Sequence, residues 1–144
     1  MTMEKIAGEL LRCMEALPRR APQHWLGEFS KGELFLLNYL NINGGIAWPS
    51  TMRDAMQTST ARIAAALNSM ESKGWVKRES DDRDHRRKLV HLTQAGTAYI
   101  EDHRKKALQN ITKLLIALGQ EDAAEYFRIT QRMEVISRDF HFDL

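Results

Sequence analysis

Residues 58–93 read TSTARIAAALNSMESKGWVKRESDDRDHRRKLVHLT, and their pattern decides the fold. Thr58 and Ser59 suit a helix start, where their hydroxyls accept free backbone N–H groups, and Glu71 and Lys73 fill a last turn before Gly74. Ile63, Leu67 and Met70 recur at four- and three-residue spacing, which buries one face. The opposite face carries Thr60, Ala61, Arg62, Ala65 and Ser69, small or polar side chains with a single arginine. So slim a helix fits the major groove of duplex DNA. Beyond Gly74, Trp75–Ser80 and Lys88–Leu92 have strand character, and Asp81–Arg87 between them holds no apolar residue. Two strands joined by an arginine-rich tip make a wing.

Three segments of this region, MESKGWV (70–76), DDRDHR (81–86) and LVHLTQAG (89–96), give the chain a resemblance to the multiple-antibiotic-resistance regulator (MarR) family of winged helix-turn-helix proteins. In that family the recognition helix ends in a Gly, the wing carries D-x-R-x-x-R, and a Leu-Thr-x-x-Gly opens the next long helix. The resemblance implies DNA binding, dimerisation through N- and C-terminal helices, and an effector pocket between those helices and the reading head.

A chain of 144 residues, 43% hydrophobic and 28% charged, supports one soluble domain with a modest core. No apolar run reaches the length of a membrane span and the N-terminus lacks a signal-peptide layout, so a cytoplasmic protein without a membrane partner is expected. A lone cysteine excludes an internal disulfide and fits a reducing compartment. Net charge is only +2, yet residues 49–93 hold nine Lys/Arg against six Asp/Glu while the remainder holds twelve against thirteen. The basic excess lies in the reading head.

In chain order, the seam Met3, Ile6, Leu10, Cys13 and Leu17 predicts a first helix over 3–17, ended by Pro18 and Pro22. Trp25, Leu26 and Phe29 follow as bulky connector residues. Ser30 and Glu33 predict a capping box on a second helix whose buried face is Leu34, Phe35, Leu37 and Leu40, with Tyr39 beside it. The short run Ile46–Trp48 leaves its structure open, and family members often place a small strand there. Pro49 opens a third helix over 50–56, and Gln57–Thr58 make the turn. Val76, Val90 and Leu92 are expected inside the wing sheet, with Lys77, Arg78 and His91 outside. Thr93 caps a long helix to Leu118, Gly119 ends it, and a last helix covers 120–138 before a tail with Phe140, Phe142 and Leu144. The terminal helices carry more apolar seam than one chain can bury, which predicts a homodimer. The expected fold is mainly α with a small antiparallel β-wing. It is a single domain, 1–144, with a winged helix-turn-helix core at 30–93 and dimerisation helices in 1–29 and 94–144.

Roles follow from position. Arg62 suits a fork onto a guanine edge, while Ser59 and Thr60 suit both capping and phosphate contact. Ala61, Ala65 and Ser69 complete the groove-facing surface, and Ser50, Thr51 and Arg53 reach phosphates from the supporting helix. In the wing, Asp84 and Arg86 are expected to form a salt bridge that aims the guanidinium outward. Arg83 and Arg86 suit a narrow minor groove, and Arg87 and Lys88 suit backbone phosphates. The competing reading is a turn whose arginines are all paired with Asp81, Asp82 and Asp84.

Catalytic motifs are absent, the five histidines are scattered, and no metal or cofactor is expected. Cys13 is the redox candidate, since it resembles by position the first-helix cysteine of the organic-peroxide-sensing branch of the family. Its place on the seam, late in its helix, argues for a packing role instead. The expected protein is a dimeric, non-enzymatic regulator, a repressor bound to a pseudo-palindromic operator in double-stranded DNA. A small-molecule effector in a pocket at Trp25 and Phe29 would release it. The alternative, from another class, is a winged-helix protein-interaction module whose acidic wing tip docks on a partner.

Overall fold

The computed structural model describes residues 1–21, 29, 32–80, 83 and 87–141. They form α1 (Met3–Ala16), α2 (Gly32–Ile42), β1 (Ile46–Ala47), α3 (Pro49–Met56), α4 (Thr60–Ser72), β2 (Val76–Ser80), β3 (Lys88–Leu92), α5 (Gln94–Leu118) and α6 (Gln120–Ser137). This mainly helical chain with its small antiparallel sheet is the winged helix-turn-helix that the sequence predicts. The chain falls into two compact units, Met1–Lys105 and Lys106–Leu144.

In the first unit one core gathers Leu36, Leu37 and Leu40 from α2, Met52 from α3, Ile63, Leu67 and Met70 from α4, Val76 and Val90 from the sheet, and Ile100 from α5. Each such side chain stabilises the fold by about 1.5–3 kcal/mol through its burial. The α4 triplet is the one its four- and three-residue spacing predicts. The face of α2 differs from expectation: Leu36 is completely buried, while Leu34 and Phe35 only flank the core. This helix is apolar almost all round, so its own periodicity does not select a face. The expected Ser30 cap lies outside the described residues, and Glu33 reaches across to Lys73 instead.

The sheet order is β1-β3-β2, antiparallel throughout, with Ile46 opposite His91, Ala47 opposite Val90, and Val76 opposite Leu92. The two-residue β1 is therefore the small strand that the sequence left open. Arg78, expected outside, lies by the two-residue strand period on the Val76 side and is half-buried against α4.

The end of α4, the start of β2 and the start of α5 meet in one corner. Gly74 adopts a φ of 78°, its N–H donates to the Glu71 carbonyl at 3.0 Å, and the Trp75 N–H donates to the Met70 carbonyl at 3.0 Å. These two bonds form a Schellman stop, which requires the left-handed conformation glycine supplies without strain. Thr93 then ties the corner together. Its N–H donates to the Trp75 carbonyl at 3.0 Å, its hydroxyl donates to the Gly74 carbonyl at 2.6 Å, and that same oxygen accepts the Gly96 N–H at 3.0 Å. A Cβ on Gly96 would stand 2.1 Å from the Trp75 carbonyl oxygen. Farther along, Arg104 donates to Asn38 at 2.8 Å and Asn41 to Glu101 at 2.6 Å, so α2 is laced to this part of α5.

The N-terminal helix α1 is capped by Thr2 and buries none of its residues, so Met3, Leu10, Met14 and Cys13 are all exposed. In the second unit Gly119 turns the chain with a φ of 90°, and α6 follows, also without a buried residue. Phe127, Met133 and Ile136 of α6 are exposed, while Phe142 and Leu144 of the tail lie outside the described residues. Among the described residues no helix is long and apolar enough to cross a membrane.

Gly96→Ala is expected to lower the free energy of unfolding by roughly 1–3 kcal/mol, the cost of overpacking, because backbone rather than a flexible side chain blocks the new methyl. Gly8→Ala, in the exposed middle of α1 with open space around it, should leave stability unchanged or raise it by up to about 1 kcal/mol. Urea denaturation of the two variants checks this contrast.

Candidate nucleic-acid interface

The helix-turn-helix pair is built from α3 and α4. Pro49 opens α3, where its missing N–H costs nothing. Gln57 closes it in the left-handed region with a φ of 54°, and the Thr58 N–H donates to the Arg53 carbonyl at 3.2 Å. Ser59 then caps α4, its Oγ accepting the Arg62 N–H at 3.2 Å. Arg53 joins the two helices: its Nη1 donates to Thr60 Oγ1 at 3.2 Å while its Nε donates to Asp54 Oδ1 at 3.1 Å. A cleft of about 220 Å³ between α3, α4 and β2 has Ser50, Arg53, Thr60 and Arg78 among its walls.

Ser50 and Thr51, assigned to phosphate contact, are exposed at the start of α3, and Ala61, Arg62 and Ala65, assigned to the groove-facing surface, are exposed along α4. Ser69 is placed differently. It is half-buried, and it contributes to the lowered titration of the Glu33 carboxyl. Asn68 and Arg78 are missing from the residues the sequence nominates, yet Asn68 is exposed on α4 and the half-buried Arg78 of β2 lies beside it. Arg78 Nη2 donates to Asn68 Oδ1 at 2.5 Å, and Arg78 Nε and backbone N–H each donate to Glu71 Oε2 at 3.1 Å. Asn68 follows Ala61 and Ala65 at seven and three residues, so helical spacing alone would have placed it on the same stripe.

At the wing, Arg83, Arg87 and Lys88 are exposed, with Arg87's guanidinium carbon 5.1 Å from the centre of the Trp48 ring. This cation–π contact anchors one end of the wing to the residue that precedes α3. The expected Asp84–Arg86 salt bridge lies outside the described residues, as do Asp81 and Asp82. Phe29 is partly buried against the core, and Trp25, its companion in the expected effector pocket, lies outside the described residues. Among the described residues no group of three or more His, Cys, Asp or Glu could hold a metal ion.

Two ion pairs fix the recognition helix at its far end. Lys73 Nζ donates to Glu33 Oε2 at 2.6 Å and lies 4.8 Å from the Trp75 ring centre, on which Tyr99 stacks at 4.1 Å. Burial pushes the Glu33 carboxyl up, but hydrogen bonds from Lys73 and Ser69 and the Lys73 charge outweigh it, so the group titrates below the usual glutamate range. Glu71 is also lowered, chiefly by the Arg78 hydrogen bond.

Residues 30–87 match the model of the MarR family. No curated protein matches the chain in sequence. Among solved structures, YusO from Bacillus subtilis is 18% identical, with 93% of this chain and 98% of that one aligned at a TM-score of 0.73. MepR, a transcription regulator of the Staphylococcus aureus multidrug efflux pump MepA, is 19% identical over 96% of this chain and 100% of its own, at 0.66. Streptococcus pneumoniae FabT, solved in complex with DNA, is 19% identical over 74% of each chain, at 0.65. At these identities the likeness is one of fold.

A carboxyl lowered in the folded state stabilises the fold above its ordinary titration range, and that contribution is lost as pH falls through the folded-state value. Lys73→Met should therefore cost under about 1 kcal/mol near neutral pH, because the pair is partly exposed and screened. The gap to wild type should close as Glu33 is protonated. Urea denaturation of both proteins across the acid range reads this.

Proposed function

We propose that this chain, whose residues 30–87 belong to the MarR family, is a sequence-specific regulator of transcription that binds double-stranded DNA as a homodimer. Family members are transcription regulators rather than enzymes. The observation that carries the proposal is the outer face of α4, where Ala61 and Ala65 leave the helix slim and Arg62 stands exposed at its first turn. A helix so shaped can approach base edges in a major groove about 12 Å wide, and a guanidinium there forks onto guanine O6 and N7. Ser50, Thr51, Ser59, Thr60 and Arg53 at the facing helix ends meet backbone phosphates. Arg83, Arg86, Arg87 and Lys88 of the wing follow the neighbouring backbone and minor groove. The structure of FabT with DNA supports this use of the fold.

Dimerisation follows from the exposed apolar faces of α1 and of the second unit, which a partner copy covers. On a pseudo-palindrome, two such heads meet half-sites about one helical turn apart. We read the protein as a cytoplasmic repressor released by a small molecule bound near Trp25 and Phe29, and Cys13 as a packing residue of the dimer seam rather than a redox switch. One observation favours the protein-interaction reading. Arg53 and Arg78 are already paired with Asp54 and Glu71, and an arginine held at home meets fewer phosphates.

Selection from random duplexes, followed by binding isotherms at several salt concentrations, separates the readings. Arg62→Ala should cost about 1–3 kcal/mol on the selected sequence and little on random duplex. Arg87→Ala should weaken both alike and reduce the salt slope by about one counterion. Wild-type protein that enriches no sequence and binds no duplex at low salt would leave the interaction module as the better account.

Sedimentation equilibrium at micromolar concentration should give near twice the 16.6 kDa chain mass. A mass of one chain contradicts the dimer.

A further inference from the structure

Along α4 the residues Ala61, Ala65 and Asn68 are all exposed and fall on one stripe by helical spacing. The alanines offer only methyl groups to a DNA base. Of these three, Asn68 is the hydrogen-bonding side chain, and it is not free to choose which end it shows. Arg78 Nη2 donates to its Oδ1 at 2.5 Å, and since a guanidinium has donors only, the amide must turn its oxygen toward Arg78.

Arg78 in turn has little freedom. Its Nε and backbone N–H converge on Glu71 Oε2 at 3.1 Å each, its Nη2 lies 3.5 Å from Glu71 Oε1, and its backbone is held opposite Val90 in the sheet. The amide nitrogen of this exposed residue is left as its available hydrogen-bonding end, and among the described residues no acceptor is bonded to it. An asparagine with both ends open pairs with adenine, accepting from N6 and donating to N7. Here Arg78 already occupies one acceptor position of the oxygen and holds that end of the amide, so the oxygen serves the adenine amino group less well than a free amide would, while both amide N–H donors stay available. Guanine presents the complementary edge, two neighbouring acceptors at N7 and O6 and no donor beside them.

We propose that Asn68, oriented by Arg78, is a specificity-determining residue that donates to a guanine edge and disfavours adenine at one base pair of each half-site. The proposal rests on the DNA-reading function above and adds one base to the operator.

The test compares sequences selected from random duplexes by the full-length wild type, Asn68→Ala and Arg78→Met, with folding checked by circular dichroism. Asn68→Ala changes an exposed helix position and should fold normally. It should flatten one guanine-preferring pair per half-site, taking a roughly tenfold preference over adenine to near parity, and leave the other positions intact. Arg78→Met keeps the apolar stem but frees the amide oxygen, and should relax the same pair or shift it toward adenine. A wild type that enriches a sequence which Asn68→Ala reads identically overturns this inference alone. So does adenine at the Asn68-dependent pair in the wild-type profile, or an Arg78→Met variant that keeps the full guanine preference. A wild type that enriches nothing overturns it together with the function on which it rests.

Discussion

The Trp75 carbonyl oxygen occupies the place where a side chain on Gly96 would begin. That close approach is possible because position 96 has no Cβ, and it brings the end of the recognition helix, the start of the wing and the start of the long helix α5 into one corner. Thr93 completes the joint by donating to two carbonyls and accepting one N–H. The angle at which α4 leaves the body is set here, since Gly74 and Trp75 belong both to its Schellman stop and to this contact. Core side chains on α2, α3 and the sheet then need only fill the space that the corner defines.

On the proposed reading surface some arginines are held in ion pairs and others stand exposed. Arg53 and Arg78 are paired with Asp54 and Glu71 and brace α4 at its two ends, against Thr60 at the start and Asn68 farther along. Arg62 stands exposed on the first turn, and Arg87 rests over Trp48 at the base of the wing. Bracing lowers the entropy lost when a helix is fixed in a groove, because the side chains beside the reader are already ordered.

Much of this was legible in the sequence because the signals were local. The triplet Ile63, Leu67 and Met70 named the buried face of α4, Gly74 named its end, and Leu-Thr-x-x-Gly named the joint before α5. The two-residue β1 and the strand order β1-β3-β2 were not legible: the run 46–48 is too short to carry a strand signal, and only the resemblance offered a small strand there. The buried face of α2 was not legible, since a helix with apolar residues around most of its circumference acquires its face from what packs on it. Arg78 and Asn68 were missed for a related reason. Their roles exist only once β2 lies beside α4, and a charged residue in an alternating strand reads as solvent-facing until the partner carboxylate of Glu71 is known. Ser69 looks groove-facing as a small polar residue on a helix, and its half-burial beside Glu33, thirty-six positions earlier, was not legible from local spacing.

The central claim is that two copies of this head read one face of a duplex together. Hydroxyl-radical footprinting on a selected sequence tests it most directly. The account predicts two protected tracts on each strand, centred about one helical turn, roughly 10 base pairs, apart, with added protection where each wing crosses the backbone. A single protected tract, or protection that does not depend on the selected sequence, would contradict it.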